Sequence, residues 1–430
     1  MQIFNDTGFP LGFAVERTIP REPRVGFVLK ATFDLQPDGV CTIAKTQRPI
    51  QSNKPYMDDI GRSLCWANDR EVFKPNTDFL VIGSFHQPGG VPAPQGRAGF
   101  AFGPLHKELA IFGPRVATED ADGFWHVGAP EPVASVPLRW ELSVGAMADR
   151  RNPFGKGGDA ETGPDGRRRI AMPLIEDPNA LLHFPGGQQP KILPPPANFA
   201  PLPLMFLERR KKLGTRDRKW TLFRAPLPPH DYDPSHRNAA PHDQQAGNSP
   251  RGDEAMALWN MHPKHPKLVI RLPGLRARLA IQRPGDPLPD AEEIAMRLDT
   301  VVVLPDEDQL VLLWRGNAQF HKPVPDDDLL GLECVVEPLD VEPETPSLTA
   351  RLRQHFQEAV DKDAKERKTA HDAGIAQIRK LLSKAKLPPA LDTLVKTESD
   401  PKILHDALGK FIETAIAGFK QKYPGLDLED

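Results

Sequence analysis

Between Pro226 and Gln245 the chain reads PLPPHDYDPSHRNAAPHDQQ, its densest run of side chains able to do chemistry. His230, Asp231, Asp233, His236, His242 and Asp243 are hard or borderline ligands, the mixture that zinc and iron sites use. The same residue types serve as general acid and base. Prolines at 226, 228, 229, 234 and 241 fix φ, remove backbone donors and push the residues before them toward extended conformations. A polar loop this long inside a compact domain is either functional or disordered. One reading is a metal-dependent hydrolase using the His/Asp-rich loop 230–243, with His236, His242 and Asp243 as ligands. Against it, the helical HExxH spacing is absent and the prolines break any periodic ligand geometry. The other reading has these side chains satisfying backbone groups, which cost about 1–3 kcal/mol each when buried unpaired. Asp231, Asp233, Asn238, His242, Asp243 and Gln244 then order the loop or present it to a protein, with no catalytic residue, cofactor or metal.

No second constellation supports catalysis. The GxSxG elbow is absent, and Ser63 and Cys65 near Asp58 and Asp59 form no triad. Gly155-Lys156-Gly157-Gly158 lacks the preceding strand, the glycine spacing and the Ser/Thr after lysine that a phosphate loop needs. His86 and His106 lie beside strand runs and read as satisfied histidines. Cys41, Cys65 and Cys334 are too few and too far apart for a disulfide framework or a four-thiolate zinc site, and fit buried thiols in a reducing cytosol. A net charge of −3 supplies no global basic field for nucleic acid. The N-terminus lacks a basic segment followed by an apolar run, and no apolar stretch is long enough to cross a bilayer. The expectation is a soluble cytoplasmic protein whose partners are neither nucleic acid nor membrane.

The elements that must position the loop are strands. The chain of 430 residues has 48 prolines, about double the usual share, which favours short strands and ordered loops over helices. Val25 to Leu35, the turn at Pro37-Asp38-Gly39 and Val40 to Ala44 predict a hairpin. Asp78 to Phe85 is a continuous apolar run that predicts a central strand buried on both faces. Further strands are expected at Arg97 to Phe102, Leu105 to Phe112, Val133 to Leu142, Lys219 to Arg224, Lys267 to Leu272, Leu275 to Ile281, Met296 to Leu304, Gln309 to Trp314 and Leu332 to Val336. Trp66, Trp125, Trp140, Trp220, Trp259 and Trp314 are spaced as core aromatics. The fold class is therefore mainly β, an antiparallel sandwich or barrel-like body with long proline- and glycine-rich loops, over residues 1–340.

After a linker at 341–347 the composition turns helical, giving a module over 348–430. Ser347 can cap a helix carrying Leu348, Leu352, Phe356 and Val360; Ile375, Ile378, Leu381 and Leu382 predict a second. Asp400-Pro401 starts a third, whose apolar stripe, Leu404, Leu408, Phe411, Ile412 and Phe419, is a candidate partner-binding face.

The chain carries, in order, Lys30-Ala31-Thr32-Phe33-Asp34, Phe73-Lys74-Pro75-Asn76-Thr77-Asp78, Pro88-Gly89-Gly90, Arg151 to Gly157, Asn238 to Gln244, Leu272 to Leu275 and Leu313-Trp314-Arg315-Gly316. This ordered set resembles the bacterial DUF2169 family, whose members the resemblance implies are encoded beside type VI secretion components. The resemblance covers roughly residues 1–335 and leaves the helical tail outside. It implies a non-enzymatic adaptor or chaperone in the bacterial cytoplasm. Such a protein binds a secreted effector and helps load it onto a VgrG or PAAR spike protein.

Overall fold

The computed structural model describes residues 2–17, 23–282, 292–320, 331–342, 347–382, 389–397 and 401–422. The fold is mostly β, with a curled half-barrel sheet and helices toward the C-terminus. Along the main path of that sheet the order is Gln2–Asn5, Gly331–Pro338, Leu275–Gln282, Glu292–Leu304, Gln309–Gln319, Pro23–Leu35 and Leu11–Arg17. Its neighbours are antiparallel except for the first pair.

The register of Glu292–Leu304 shifts between Leu298 and Thr300, and the strand changes partner across this bulge. Before it the strand pairs with Leu275–Gln282; after it Thr300 to Val303 pair in parallel with Asp78 to Val81 of the Thr77–Val81 strand. Every residue of Thr77–Val81 is buried, as the continuous apolar run predicts. A strand inserted at the fork of a sheet has no solvent face.

A second sheet runs Ile175–Glu176, Leu105–Phe112, Gln95–Phe102, Ala255–Trp259 and Lys267–Arg271. Phe27, Leu29, Phe33, Phe79, Val301, Leu312 and Trp314 of the large sheet join Phe100, Leu109, Ile111, Met256, Leu258 and Ile270 of the second in one buried cluster. Period-2 alternation sends Val28, Leu80, Val302, Val311 and Leu313 to the opposite face, where Trp66 and Ala240 cover them. Burial of each such side chain contributes about 1.5–3 kcal/mol. The expected hairpin after Leu35 forms with Cys41–Ile43, and Gly39 at φ +80° closes it. A Cβ on Gly39 would lie 1.7 Å from the Val269 carbonyl oxygen, so no other residue fits this turn.

Several expectations are corrected. Lys219 to Arg224, expected as a strand, lies almost wholly in helix α2, Arg218–Phe223, which follows the short α1, Leu207–Arg210. Asp217 caps α2 by accepting the Trp220 amide at 2.8 Å, a local signal that outweighs the β-propensity of a few aromatics. Val133 to Leu142 keeps only Ser135–Pro137 as strand, then turns into a 3-10 helix at Trp140–Leu142. Of the cysteines only Cys334 is buried; Cys41 and Cys65 are half-buried. Trp220 and Trp259 are likewise only half-buried, while the other four tryptophans are in the core.

The two helices expected after Ser347 are one, α3, Leu348–Leu382; no proline lies within it, and the helix absorbs its single glycine, Gly374. Then come α4, Pro389–Thr397, and α5, Pro401–Lys422, and α4 packs on α5. Residues 343–346 of the expected linker and Asp400, the expected cap, lie outside the described residues. The chain divides into compact units between Leu352 and Arg353. Leu348 and Leu352, in the first turns of α3, belong to the β unit and are buried with Ala280 and Val335. Among the described residues no helix is long and apolar enough to cross a membrane.

Candidate functional site

The Pro226–Gln245 stretch falls into an outer and an inner half, and burial separates them. From Tyr232 onward the chain turns in and lies along the Thr77–Val81 strand, ending in Gln245–Ala246, which pairs with Asp78 and Thr77. Asn238, Ala239, Ala240, Pro241 and Gln244 are buried. Asn238 donates from Nδ2 to the Asn76 carbonyl at 2.7 Å and to Asp78 Oδ1 at 2.8 Å. The Ala239 amide donates to Asp78 Oδ2 at 2.9 Å. Gln244 donates to the carbonyls of Phe79 at 2.9 Å and Phe199 at 3.1 Å. These bonds extend the two-residue Gln245–Ala246 pairing and satisfy polar groups at the buried strand end.

Asp78 is one end of a longer buried chain of charges. Lys74 Nζ donates to Asp78 Oδ2 and to Thr300 Oγ1, both at 2.8 Å. The Thr300 hydroxyl donates to Asp299 Oδ1 at 2.9 Å, and Asp299 pairs with Arg315. Arg315 Nη2 donates to the Asp69 carbonyl at 2.7 Å, and the Asp69 carboxylate accepts from Lys30 Nζ at 2.8 Å and Trp66 Nε1 at 2.8 Å. Lys30 lies 4.1 Å from the Trp66 ring centroid, and burial pulls its ammonium below the ordinary value against the opposing pull of Asp69. Three cation–carboxylate pairs thus sit on the sheet, each with its remaining hydrogen bonds largely met, the condition under which buried charge is tolerated.

A family model described as an uncharacterized protein conserved in bacteria matches residues 21–315. The chain belongs to this family, DUF2169. No curated protein and no solved structure matches it. The DUF2169 segment begins before Lys30 and ends on Arg315, so the whole charged chain lies within it. Lys30, Lys74, Asp78, Asn238 and Arg315 come from four of the short motifs quoted above, and the fold brings them to one place. The Arg151–Gly157 motif serves the same DUF2169 fold elsewhere. Asn152 is buried and donates to the Trp140 and Val144 carbonyls at 2.8 and 3.0 Å, while Lys156–Gly157 pairs in parallel with Val144–Gly145.

The remaining candidates are placed as follows. Asp243 and Gln244 share Lys107, whose Nζ reaches them at 2.8 and 2.7 Å and the Asn198 carbonyl at 2.9 Å. Burial pulls the Lys107 ammonium below its ordinary value, opposed by the Asp243 carboxylate. His242 is exposed, and its amide donates to Glu208 Oε1 at 3.1 Å. His236 is half-buried with its ring 4.9 Å from that of Tyr232, and burial lowers its imidazole below the ordinary value. Arg209 holds the His236 carbonyl at 2.8 Å. Arg237 stacks 4.5 Å over Phe73, donates to the Tyr232 hydroxyl at 3.1 Å and pairs with Glu16. Among the described residues no group of three or more His, Cys, Asp or Glu side chains is placed to hold a metal ion. Ser63 is buried and donates to Glu141 at 2.6 Å. His86 binds Asp306 at 2.7 Å, and His106 stacks on Trp259. On α5, Phe411 is half-buried and Ile412 is 48% exposed; the side chains of Leu404, Leu408 and Phe419 lie outside the described ones.

The outer half is a lobe, Gly214 to Asp231, pinned at its base. The Asp231 carboxylate accepts the Thr215 amide at 2.9 Å and hydroxyl at 2.7 Å, which hold it below the usual carboxylate range. The Asp233 amide donates to the Lys212 carbonyl at 2.9 Å, and the Asp233 carboxylate, lowered by the Ser235 amide, caps the next 3-10 turn. Gly214, at φ +74°, lets the lobe leave the body; a Cβ there would meet Asp231 Oδ1 and Pro229 at 2.8 Å. Inside the lobe Trp220 Nε1 donates to the Leu227 carbonyl at 2.8 Å. At its tip Leu222 and Phe223 are 63% and 85% exposed. A strand over Lys219 to Arg224 would offer no such helical face. The signal that marks it is Asp217 three residues before Trp220, the spacing of a helix cap.

Proposed function

We propose that this protein is a non-enzymatic adaptor of the bacterial cytoplasm that binds a secreted effector and helps load it onto a VgrG or PAAR spike protein of a type VI secretion system. The observation that carries the reading is how the Pro226–Gln245 side chains are used. Asn238, Asp243 and Gln244 hold the loop against the sheet, Asp231 and Asp233 close the base of a lobe, and the lobe presents exposed apolar residues. Polar groups spent on internal bonds do not reach a substrate, whereas a braced apolar projection fits protein recognition. The secretion context is what the resemblance of the ordered motifs implies; the family match itself speaks only of a protein conserved in bacteria. The test is copurification from the native host with the products of neighbouring genes, together with secretion of the effector after deletion of the gene. A defined complex and lost secretion are expected. A solitary protein, with secretion unchanged on deletion, refutes the reading.

A further inference from the structure

The segment Arg209 to Arg224 carries eight arginines and lysines against the single acid Asp217, in a chain whose net charge is −3. Arg209 is buried and bound internally, but Arg216, Arg218 and Lys219 are exposed, and none of them is in an ion pair among the described residues. Four of the eight, Arg216, Arg218, Lys219 and Arg224, lie on the lobe against Asp217 and Asp231, beside the most exposed apolar residues of α2, Leu222 and Phe223. A groove of about 420 Å³ opens between α2 and the proline-rich turns that follow it, with Trp220, Phe223, Leu227 and Pro229 supplying apolar wall. Arg216 stacks 5.4 Å over the Trp220 ring, and Arg224 binds the Pro228 carbonyl and His230 Nε2. Lys219 and Arg224 line the groove directly, together with His230 and two carboxylates that are already engaged, Asp217 by the Trp220 amide and Asp231 by Thr215.

Resting on the adaptor reading above, we propose that this lobe docks an acidic segment of the partner protein. One apolar side chain of that segment seats against Trp220, Phe223 and Leu227, and its carboxylates meet Arg216, Lys219 and Arg224. The groove is at the small end of the range of about 300–1,000 Å³ for ligand pockets, which suits one or two side chains of a peptide rather than a folded surface. With Asp217 and Asp231 taken up by internal bonds, Arg216, Arg218, Lys219 and Arg224 leave the lobe net positive, which is complementary to an acid and repels a basic segment. Two features favour a peptide over a membrane. The α2 helix has only six residues, too short to lay an apolar face into a lipid interface. The lobe is also braced by Thr215–Asp231 and Trp220–Leu227 bonds, so the groove exists before anything binds.

The experiment uses the full chain and a short fluorescein-labelled peptide in which glutamates alternate with leucine and phenylalanine, read by fluorescence anisotropy. Controls are the same peptide with lysine for glutamate, the same peptide with serine for the apolar residues, and phosphatidylserine vesicles. The expected result is saturable binding of the acidic apolar peptide alone, weakened by salt and reduced about tenfold or more by Phe223→Ser and by the pair Arg216→Glu with Lys219→Glu. These positions are exposed, so the variants keep the fold, and circular dichroism verifies it. Equal binding by the variants overturns the proposal, as does binding of the vesicles but not of the peptide, or no peptide binding at all. Copurification separates this failure from that of the adaptor reading: a partner retained by Phe223→Ser leaves the adaptor and removes the lobe, while no partner for the unaltered chain removes both.

Discussion

Asp78→Ala is the substitution that most sharply tests the buried charge chain. Asp78 is fully buried, and its carboxylate accepts from Lys74 Nζ, Asn238 Nδ2 and the Ala239 amide. Its removal leaves the Lys74 ammonium, itself 2% exposed, with only the Thr300 hydroxyl. Breaking a buried pair from one side costs about 3–5 kcal/mol, because the surviving charge stays desolvated. The freed Ala239 amide adds up to about 1–3 kcal/mol unless water reaches it. A loss of about 4 kcal/mol is a large part of the roughly 5–15 kcal/mol that holds a protein folded. Urea unfolding followed by tryptophan fluorescence reads it cleanly, since all six tryptophans lie between Trp66 and Trp314 in the β unit. The midpoint should fall by about 1 M or more at an urea slope of about 3 kcal/mol/M. Adding Lys74→Met should restore part of the loss, because it removes the stranded charge, so the double variant is more stable than Asp78→Ala alone. A single variant within about 1 kcal/mol of the unaltered protein, or a double variant weaker than the single, would show that the pair is hydrated and that the reasoning is wrong.

Four further outcomes are expected. His242→Ala, at an exposed side chain, should change stability by no more than about 0.5 kcal/mol, whereas Asn238→Ala should cost about 2–3 kcal/mol, both read by the same urea titration. The Asp231 and Asp233 carboxylates are held below their unfolded values near about 3.9, so their contribution is present above that pH and is lost as pH falls through the lowered folded values. Hydrogen exchange at the Thr215 and Ser235 amides should therefore accelerate on acidification below about pH 4, after correction for intrinsic rates; an unchanged rate contradicts it. A chain ending after Pro346 should be less stable than one ending after Arg353, by about 2–5 kcal/mol, because it lacks the buried Leu348 and Leu352 and the Arg351–Glu333 pair. Elemental analysis of purified protein should find no stoichiometric zinc or iron; a bound metal lost in a His236→Ala or His242→Ala variant would revive the hydrolase reading.

Much of the β body is determined by local sequence. Alternating or continuous apolar runs bounded by glycine and proline place Pro23–Leu35, Thr77–Val81, Leu105–Phe112 and Gln309–Gln319, since a strand's side-chain period needs nothing distant to be recognised. The ordered motifs likewise identify the family. Local sequence failed at α2, where three aromatic and β-branched residues resemble a strand and the Asp217 cap decides otherwise. It also could not say what the His/Asp-rich stretch does. Ligating side chains look alike whether they face a metal, a backbone amide or a lysine, and for Asn238 and Asp243 the difference lies in partners more than a hundred residues away. Asn238 meets Asp78, Asp243 meets Lys107, and Arg315 meets Asp69 only because the two sheets and the loops packed on them bring these residues together. Sequence by itself fixes which residues carry charge into apolar strands, and such charges must find partners because burial without them costs too much. Only the tertiary structure decides which partners those are, because pairing across a sheet depends on register and on a bulge at Leu298/Thr300 that no local pattern records.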